Sequence, residues 1–560
     1  MQKNCTKCSA EFEIADWDLE FLRRVSPTIR GKQYTIPPPN LCPEERFRRR
    51  LAFRNERHLH RSTCDLCKRS MITSYSPNRT FPVYCQECWW GDGWDEHSYG
   101  RPYDFQKPFF EQYKELQDAV PRLSLMNRNA ENSEYCNYAA NNKNCYLAMG
   151  GSWFNEDCSY VRYTFRSRSC SDCFGVQRGE LCYEMMWGKD LYGCIHSDEC
   201  FDCSDCAFSL NLRGCKNCIL CNNLHNKSYF VRNQEVSPEE FKRIRDSLAS
   251  YERYGDLERE FSELRKTAIH PAAVHVNCEN STGEYLRNCT NVQNGFMVTD
   301  LEDGKNLYIT EESKDFMDCS CAGFNGCELY YECLNAGDGG MQNALSFNNW
   351  TSSNIYYCDT AQMCESCFGC NGVRHKKYCI LNKQYSKDEY EVLLPKIIEH
   401  MQSTNEWGEF FPISLSPFPY NETLAQDYFP INKEHAEQLG YYWEENPPED
   451  LQMEKTIDSM SLPDSIDDIP EDVLKWAIRC QESGKLFRIQ KLEYDFYRLA
   501  RLPLPRLHPQ IRYSNRMTRK NPPRLHLGTC SKCKKSIQTS YDPHQKAIVY
   551  CEECYLKEVY

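Results

Sequence analysis

CDLCKRSMITSYSPNRTFPVYCQEC, residues 64–88, holds two Cys-x2-Cys pairs separated by 17 residues. CSKCKKSIQTSYDPHQKAIVYCEEC, residues 530–554, holds two more at the same spacing. Four thiolates presented as two such pairs are the common way to surround one zinc ion. The run between the pairs reads as a hairpin, with β-rich segments on either side of Ser76-Pro77-Asn78-Arg79. The hairpin brings the second pair back to the first. Cys64, Cys67, Cys85 and Cys88 are therefore expected to form one closed structural zinc site. Cys530, Cys533, Cys551 and Cys554 are expected to form another. A redox Cys-x2-Cys needs no second pair at a fixed distance.

Outward from these pairs, the two ends of the chain are copies of one module. A shift of 466 residues lays 42–64 on 508–530, matching Arg46 with Arg512, Arg50 with Arg516, Asn55 with Asn521 and His60 with His526. Further upstream the shift is 475, and Cys5, Phe12 and Asp18 fall on Cys480, Phe487 and Glu493. Cys5, Cys8 and Cys42 offer three thiolates for an outer site, with Glu45 at the place of a fourth ligand. The copy has Cys480, Ser483, His508 and Ile511 there, a set not expected to bind metal. The aromatic run WWGDGWDEHSYGRPYDF at 89–105 reads as a lid over the small ribbon core.

Between the modules the sequence is repetitive. NKNCYL, NEDCSY, GELCYE and CFDCSDC recur from about 133 to 236, and LRNC, FMDCSC, NIYYC and MCESC from about 276 to 385. Gaps of 9, 12 or 13 between cysteines suggest a β-solenoid of short strands and Asn/Asp/Gly turns, two steps making a coil near 22 residues. The arrays match each other at a shift of 149, with Cys215, Cys218 and Cys221 on Cys364, Cys367 and Cys370. Their cysteines are expected to pack as small apolar side chains rather than to converge on metal. A helix follows each array, one capped by Ser237 with Pro238 behind it and one starting near Lys387. Both are expected to cover an open solenoid end.

The fold expected is mainly β, with two Cys-rich β-solenoid-like arrays and capping helices between duplicated α+β zinc-ribbon modules. Its divisions are 1–125, 130–236, 237–270, 272–386, 387–443, an acidic solvated linker at 444–472, and 473–560. There are 36 cysteines in 560 residues, no apolar h-region in the first twenty, and no apolar run approaching the length of a membrane span. These features point to a reducing cytoplasm, where thiols stay free for metal. Oligomeric state is not legible.

A net charge of −13 argues against a surface that coats nucleic acid as a whole. Basic segments survive locally, with ten Arg/Lys and no acid over 501–535. Arg46, Arg49, Arg50, Arg54 and Arg57, with Arg512, Arg516, Arg519 and Lys520 in the copy, form a candidate clamp for RNA or DNA phosphates. The bland alternative is a solvated helix paired with the acidic linker. A protein-binding scaffold built on the solenoid is the competing function. A third is a polysaccharide-acting β-helix enzyme using a face such as Tyr183, Trp187 and Tyr192. No catalytic motif is present to support an enzyme, and His196 and His275 stand alone.

FRNERHLHRSTCDLC, VYCQECWWGDGWDEHSYGRPYDFQKPFFEQYKEL and VYCEECY together resemble a family of large uncharacterised zinc-ribbon proteins encoded by small-celled candidate bacterial lineages. The resemblance spans nearly the whole chain and implies the class, with no activity attached. The family pattern has CPxCR where this chain has Cys42-Pro43-Glu44-Glu45-Arg46, and a second Cys-x2-Cys at Cys480–Ser483. Those departures weaken the outer metal sites.

Overall fold

The computed structural model describes residues 1–445 and 455–559. Strands dominate, helices punctuate them, and among the described residues no sheet closes into a barrel. No described helix is long and apolar enough to cross a membrane.

Both arrays are stacks of parallel pairings. In the first, Glu156 pairs with Arg168, Ser159 with Ser171, Arg162 with Phe174 and Phe165 with Gln177. One coil is therefore 12 residues, not about 22, and it has four sides of three residues each. Each side repeats one motif: a residue paired to the next coil, a residue at positive φ, and a residue pointing inward. Asp157, Tyr160, Tyr163 and Arg166 hold φ near 50°. Asn155, Cys158, Val161, Thr164, Ser167 and Cys170 are buried between them.

Left-handed backbone costs about 1–2 kcal/mol at a non-glycine residue, so the stack must offset it at every side. It does so with hydrogen bonds between coils. Asp172 N donates to Ser159 O of the preceding coil at 3.0 Å, and Ser159 N donates to Cys170 O of the following coil at 2.9 Å. The inward N–H that remains is met by side chains. Ser167 N donates to Asn155 Oδ1 at 3.0 Å, Gly179 N to Ser167 Oγ at 3.1 Å, and Cys221 N to Ser209 Oγ at 3.1 Å. Small inward Ser and Asn thus satisfy backbone that an all-apolar core would leave orphaned. The inward thiols donate as well: Cys170 Sγ lies 3.3 Å from Arg168 O and 3.4 Å from Gly179 O.

The second array uses the same columns. The sides starting at Met317, Tyr331, Ala344, Tyr356, Phe368 and Ile380 correspond to those at Ser171, Tyr183, Ile195, Ala207 and Ile219 followed by Val231. Asp318 and Glu332 of the second array therefore occupy the places of Asp172 and Glu184 in the first.

Ser237 caps the helix Pro238–Asp246 by accepting from Glu240 N at 3.1 Å, and Phe241 meets Tyr229 of the last coil. Ser386 caps the helix Lys387–Ser403, whose Tyr390 meets Tyr378.

Of the expected acidic linker, 446–454 lies outside the described residues. From 455 on the segment is structured rather than solvated. Lys455–Asp458 pairs in parallel with Trp476–Arg479, and Leu462, Ile466, Ile469 and Val473 are buried. They join a core with Phe261 of the helix Tyr251–Thr267 and with Tyr183, Ile195 and Phe208 of the first array. Only part of the aromatic run covers the ribbon core: Trp89 is fully buried and donates to Pro121 O at 3.2 Å, and Arg374 of the second array covers Trp89 and Trp94, while Trp90 and Phe105 are exposed.

Candidate metal centres and the arginine clamps

Three groups of thiols could hold metal ions: Cys64, Cys67, Cys85 and Cys88; Cys530, Cys533, Cys551 and Cys554; and Cys5, Cys8 and Cys42. Within each group the sulfurs lie inside 4.8 Å of one another. The local cause is the same in both ribbons. An antiparallel hairpin, His60–Thr63 on Ser70–Thr73, is repeated as His526–Thr529 on Ser536–Thr539. Lys68 and Lys534 sit at positive φ and turn the chain just after the first pair. The second pair enters at the start of a short helix, Gln86–Trp90 or Glu552–Val559. Cys67 and Cys85 are 3.8 Å apart, and Cys533 and Cys551 are 3.7 Å apart.

One thiol in each ribbon is drawn toward the thiolate. The Arg69 side chain, whose Nε lies 3.4 Å from Cys67 Sγ, brings Cys67 down to about 6. Burial opposes ionisation of Cys530, but backbone N–H groups led by Cys533 and Cys551 outweigh it and bring it to about 6. Lowered thiol pKa is what a metal ligand needs.

The outer site departs from expectation at its fourth position. Glu45 does not join the three sulfurs. It pairs with Arg48 at 2.8 Å and with Lys7 at 3.8 Å, and those cations hold it away. Cys480 in the copy is buried and joins no such group among the described residues. The array cysteines join none either, and all 36 cysteines are free thiols.

The arginines are placed contrary to expectation. Arg46, Arg49, Arg50 and Arg54 lie at 2%, 8%, 0% and 2% exposure, and Arg512 and Arg516 at 4%. Arg54 pairs with Glu56 of its own module, and the others face acids of the arrays rather than solvent. On the helix Pro43–Leu51, Arg46 meets Asp318 at 2.8 Å, Arg49 meets Glu332 at 3.0 Å and Glu409 at 2.8 Å, and Arg50 meets Glu332 at 3.6 Å. On the matching helix Pro509–Met517, Arg512 meets Asp172 at 2.8 Å and Glu493 at 2.9 Å. Arg516 meets Asp172 at 2.8 Å and Glu184 at 2.6 Å, and Arg519 meets Glu184 at 3.5 Å. Three guanidinia oppose three carboxylates in the N-terminal clamp and four in the C-terminal one, where Arg519 also lies 3.6 Å from Asp198. Such guanidinia already have their counter-charges, and a phosphate chain could reach them only by displacing the acids.

The partner choice crosses over. The N-terminal module clamps the second array, and the C-terminal module clamps the first, through two successive coils of the corresponding column. Arg57 extends this by meeting Gln510 at 3.2 Å and lying over Tyr513, so the modules also touch each other. Lys520 is boxed by Phe174, Trp187, Tyr308 and Tyr428. The proposed aromatic face does not assemble. Tyr183 is buried under Tyr497, while Tyr192 is exposed. His196 bonds Tyr254 and His275 bonds the Gly283 carbonyl, which occupies both rings structurally.

Sequence reasoning missed the acids of the clamps and a cavity of about 700 Å³ between the arrays. Both depend on pairings across hundreds of residues. No protein-family model matches the chain, and no curated protein matches it.

Proposed function

We propose that this chain is a non-enzymatic zinc-binding protein in which two ribbon modules lock a pair of β-solenoids together and present them as a binding scaffold. The observation that carries the reading is the position of each clamp helix. Eight residues separate it from a ribbon hairpin, and its arginines are buried on the opposite array. Metal in the ribbon would fix the hairpin and so the clamp. Zinc fits the thiolate cages, because Zn–S bonds of about 2.3 Å in a tetrahedron put sulfurs about 3.8 Å apart. The separations here are 3.8 and 3.7 Å.

The solenoid reading is supported by the 12-residue parallel register and its four columns. The free thiols agree with a cytoplasmic protein. The resemblance to large zinc-ribbon proteins of candidate bacterial lineages agrees with the reading and adds no activity. A nucleic-acid clamp loses its footing once its arginines are counted as internal ion pairs. Scaffolding is therefore preferred to nucleic-acid binding.

Metal analysis of the purified chain tests this. Two zinc ions per chain are expected from the four-thiol sites, with one lost in Cys64→Ser/Cys67→Ser and the other in Cys530→Ser/Cys533→Ser. Iron with visible absorbance, or full structure after complete chelation, would sink the proposal.

A further inference from the structure

The 12-residue register is broken by extra residues at three places. In the first array Asn137 pairs with Met149 at a step of 12, but Ala139 pairs with Ser152 at a step of 13. Gly150 and Gly151, both at positive φ, lie at that break. In the second array Glu311 pairs with Gly323 at a step of 12, whereas Ser313 pairs with Cys327 at a step of 14. Phe324, Asn325 and Gly326, three successive residues at positive φ, form the excursion. One coil later Glu328 pairs with Met341 at a step of 13, with the extra residue between Asp338 and Gly340.

All three breaks border one cavity of about 700 Å³ between the arrays. Gly150, Gly151, Phe324, Asn325 and Asp338 all line it. Bulges of this kind re-aim side chains and gather beside functional sites. Here the second break swings Phe324 across the gap to within 4.7 Å of the Trp153 ring, and Trp350 lies 6.1 Å from Trp153. Phe324 and Trp350 are nearly parallel, at 16°. The first array supplies one ring and the second supplies two, so the platform exists only where the arrays meet.

The cavity's polar groups define the ligand. Its charges are largely spoken for: Arg54 pairs with Glu56 at 2.7 Å, Arg128 with Asp338 at 4.0 Å, and Arg178 with Asp190. Glu311 and Glu312 also line the cavity, and of the lining arginines only Arg166 has no ion pair among the described residues. The positive excess that a phosphate backbone requires is missing. Two of the lining residues carry a buried polar atom with no hydrogen-bond partner: Arg54 Nη1, a donor, and Asn127 Oδ1, an acceptor. The Asn127 orientation is fixed by its Nδ2, which donates to Ser133 O at 2.8 Å. A ligand that serves both must accept and donate. An ionised phosphate oxygen only accepts, whereas a hydroxyl does both. Gln177, Asn335 and Gln362 add neutral carboxamides around the rings.

We propose that the cavity between the two arrays binds an uncharged oligosaccharide, stacking apolar sugar faces on Trp153, Phe324 and Trp350 and bonding hydroxyls to Asn127, Arg54 and the carboxamides. The inference rests on the scaffold reading only in taking binding, not catalysis, as the outcome.

The full-length protein is titrated by calorimetry and tryptophan fluorescence with neutral hexasaccharides of β-1,4-glucan, β-1,4-xylan, β-1,4-mannan and α-1,4-glucan. At least one is expected to bind below about 1 mM, with affinity unchanged by added salt. Trp350→Ala is expected to weaken that binding at least tenfold, and Tyr192→Ala to leave it intact. Deleting Phe324 and Asn325, which restores the 12-residue step, is expected to abolish binding while the parallel stack still melts cooperatively. If Trp350→Ala fails to fold, Gln362→Ala takes its place, with a loss of at least threefold expected. No binding by any of the four sugars overturns the proposal. So does salt-sensitive binding of a single-stranded RNA decamer that competes with them or depends on Trp350. Zinc content is measured on the same samples, so a sugar result cannot be confused with loss of the metal-stapled scaffold.

Discussion

In the N-terminal module Arg54 sits 2.7 Å from Glu56 and over the ring of Tyr138. The C-terminal copy has Lys520 at that place, and Pro522 where Glu56 stands. Glu56 also holds Arg162 of the first array at 2.6 Å, and the two guanidinia bring its carboxyl down to about 2 against the cost of burial. Lys520 has no carboxylate, only the rings around it, the hydroxyls of Tyr428 at 3.2 Å and Tyr308 at 3.5 Å and the Met297 sulfur at 3.5 Å, and burial holds its pKa below the ordinary lysine value. The outer knuckle differs in the same direction, with three clustered thiols in one copy and one in the other. What both copies keep is the four-thiol ribbon and the arginine helix. The shared features join ribbon to array, and of the divergent ones Glu56 ties its module to the first array as well.

The largest effect tests whether the ribbons are equal. Removing Cys64 and Cys67, or Cys530 and Cys533, is expected to cost the affected module about 10 kcal/mol, since structural zinc supplies folding free energy on that scale. Thermal melting and hydrogen exchange would show module-wide loss in either variant. A variant that melts like the parent would break the comparison at its root.

Next come the clamps. Glu332 is fully buried between Arg46, Arg49 and Arg50, whereas Glu184 keeps a slightly exposed side chain and serves Arg516 and Arg519. Burial pushes the Glu184 carboxyl up to about 7 although its arginines pull it down. Glu332→Gln is expected to cost about 3–5 kcal/mol, because it strands guanidinia in a buried site. Glu184→Gln should cost less. Urea melts of both variants would expose the reverse order.

The third contrast is between Asn137 and Glu284, which join the first coil of each array to the preceding segment. Asn137 Oδ1 accepts from Met126 N at 3.0 Å, and Glu284 Oε1 accepts from Val274 N at 3.0 Å. Burial raises the Glu284 carboxyl to about 8. A protonated carboxyl resembles an amide, with one donor and one acceptor. Its folded pKa lies above the unfolded value near 4.3, so its stabilisation is complete at low pH and is lost as pH rises through 8. Relative to the parent, Glu284→Gln should gain about 4 kcal/mol between pH 4.5 and 9. Parallel stability curves for the two proteins would contradict this.

The smallest effect asks whether the missing counter-charge matters. Pro522→Glu gives Lys520 the partner that Arg54 has, and a gain of about 1 kcal/mol is expected in the thermal melt. No gain would mean that the aromatic box already satisfies the ammonium group.

The ribbons were legible because their ligands lie close along the chain and the hairpin between them needs only local turn chemistry. Ser237 and Ser386 were legible as caps for the same reason. The coil length was not, although gaps of 9 and 12 are multiples of the three-residue side. Inward positions accept Cys, Ser, Asn, Val, Thr and Gly alike, so the period is steric rather than chemical and leaves a faint pattern. The arginine helices misled because three- and four-residue spacing of cations is how a solvated face looks. Their carboxylates lie some 270 to 340 positions away in sequence.

Sequence alone determined which thiols could share an ion, that the ends are copies, and that the arrays are copies. Each follows from order and spacing along one strand of text. Tertiary structure decided that each module reaches the farther array, that its cations face inward, and that three broken coils meet at one cavity. Such choices depend on charges and rings that come together only after coils have stacked, and no local pattern of residues encodes the distance between them.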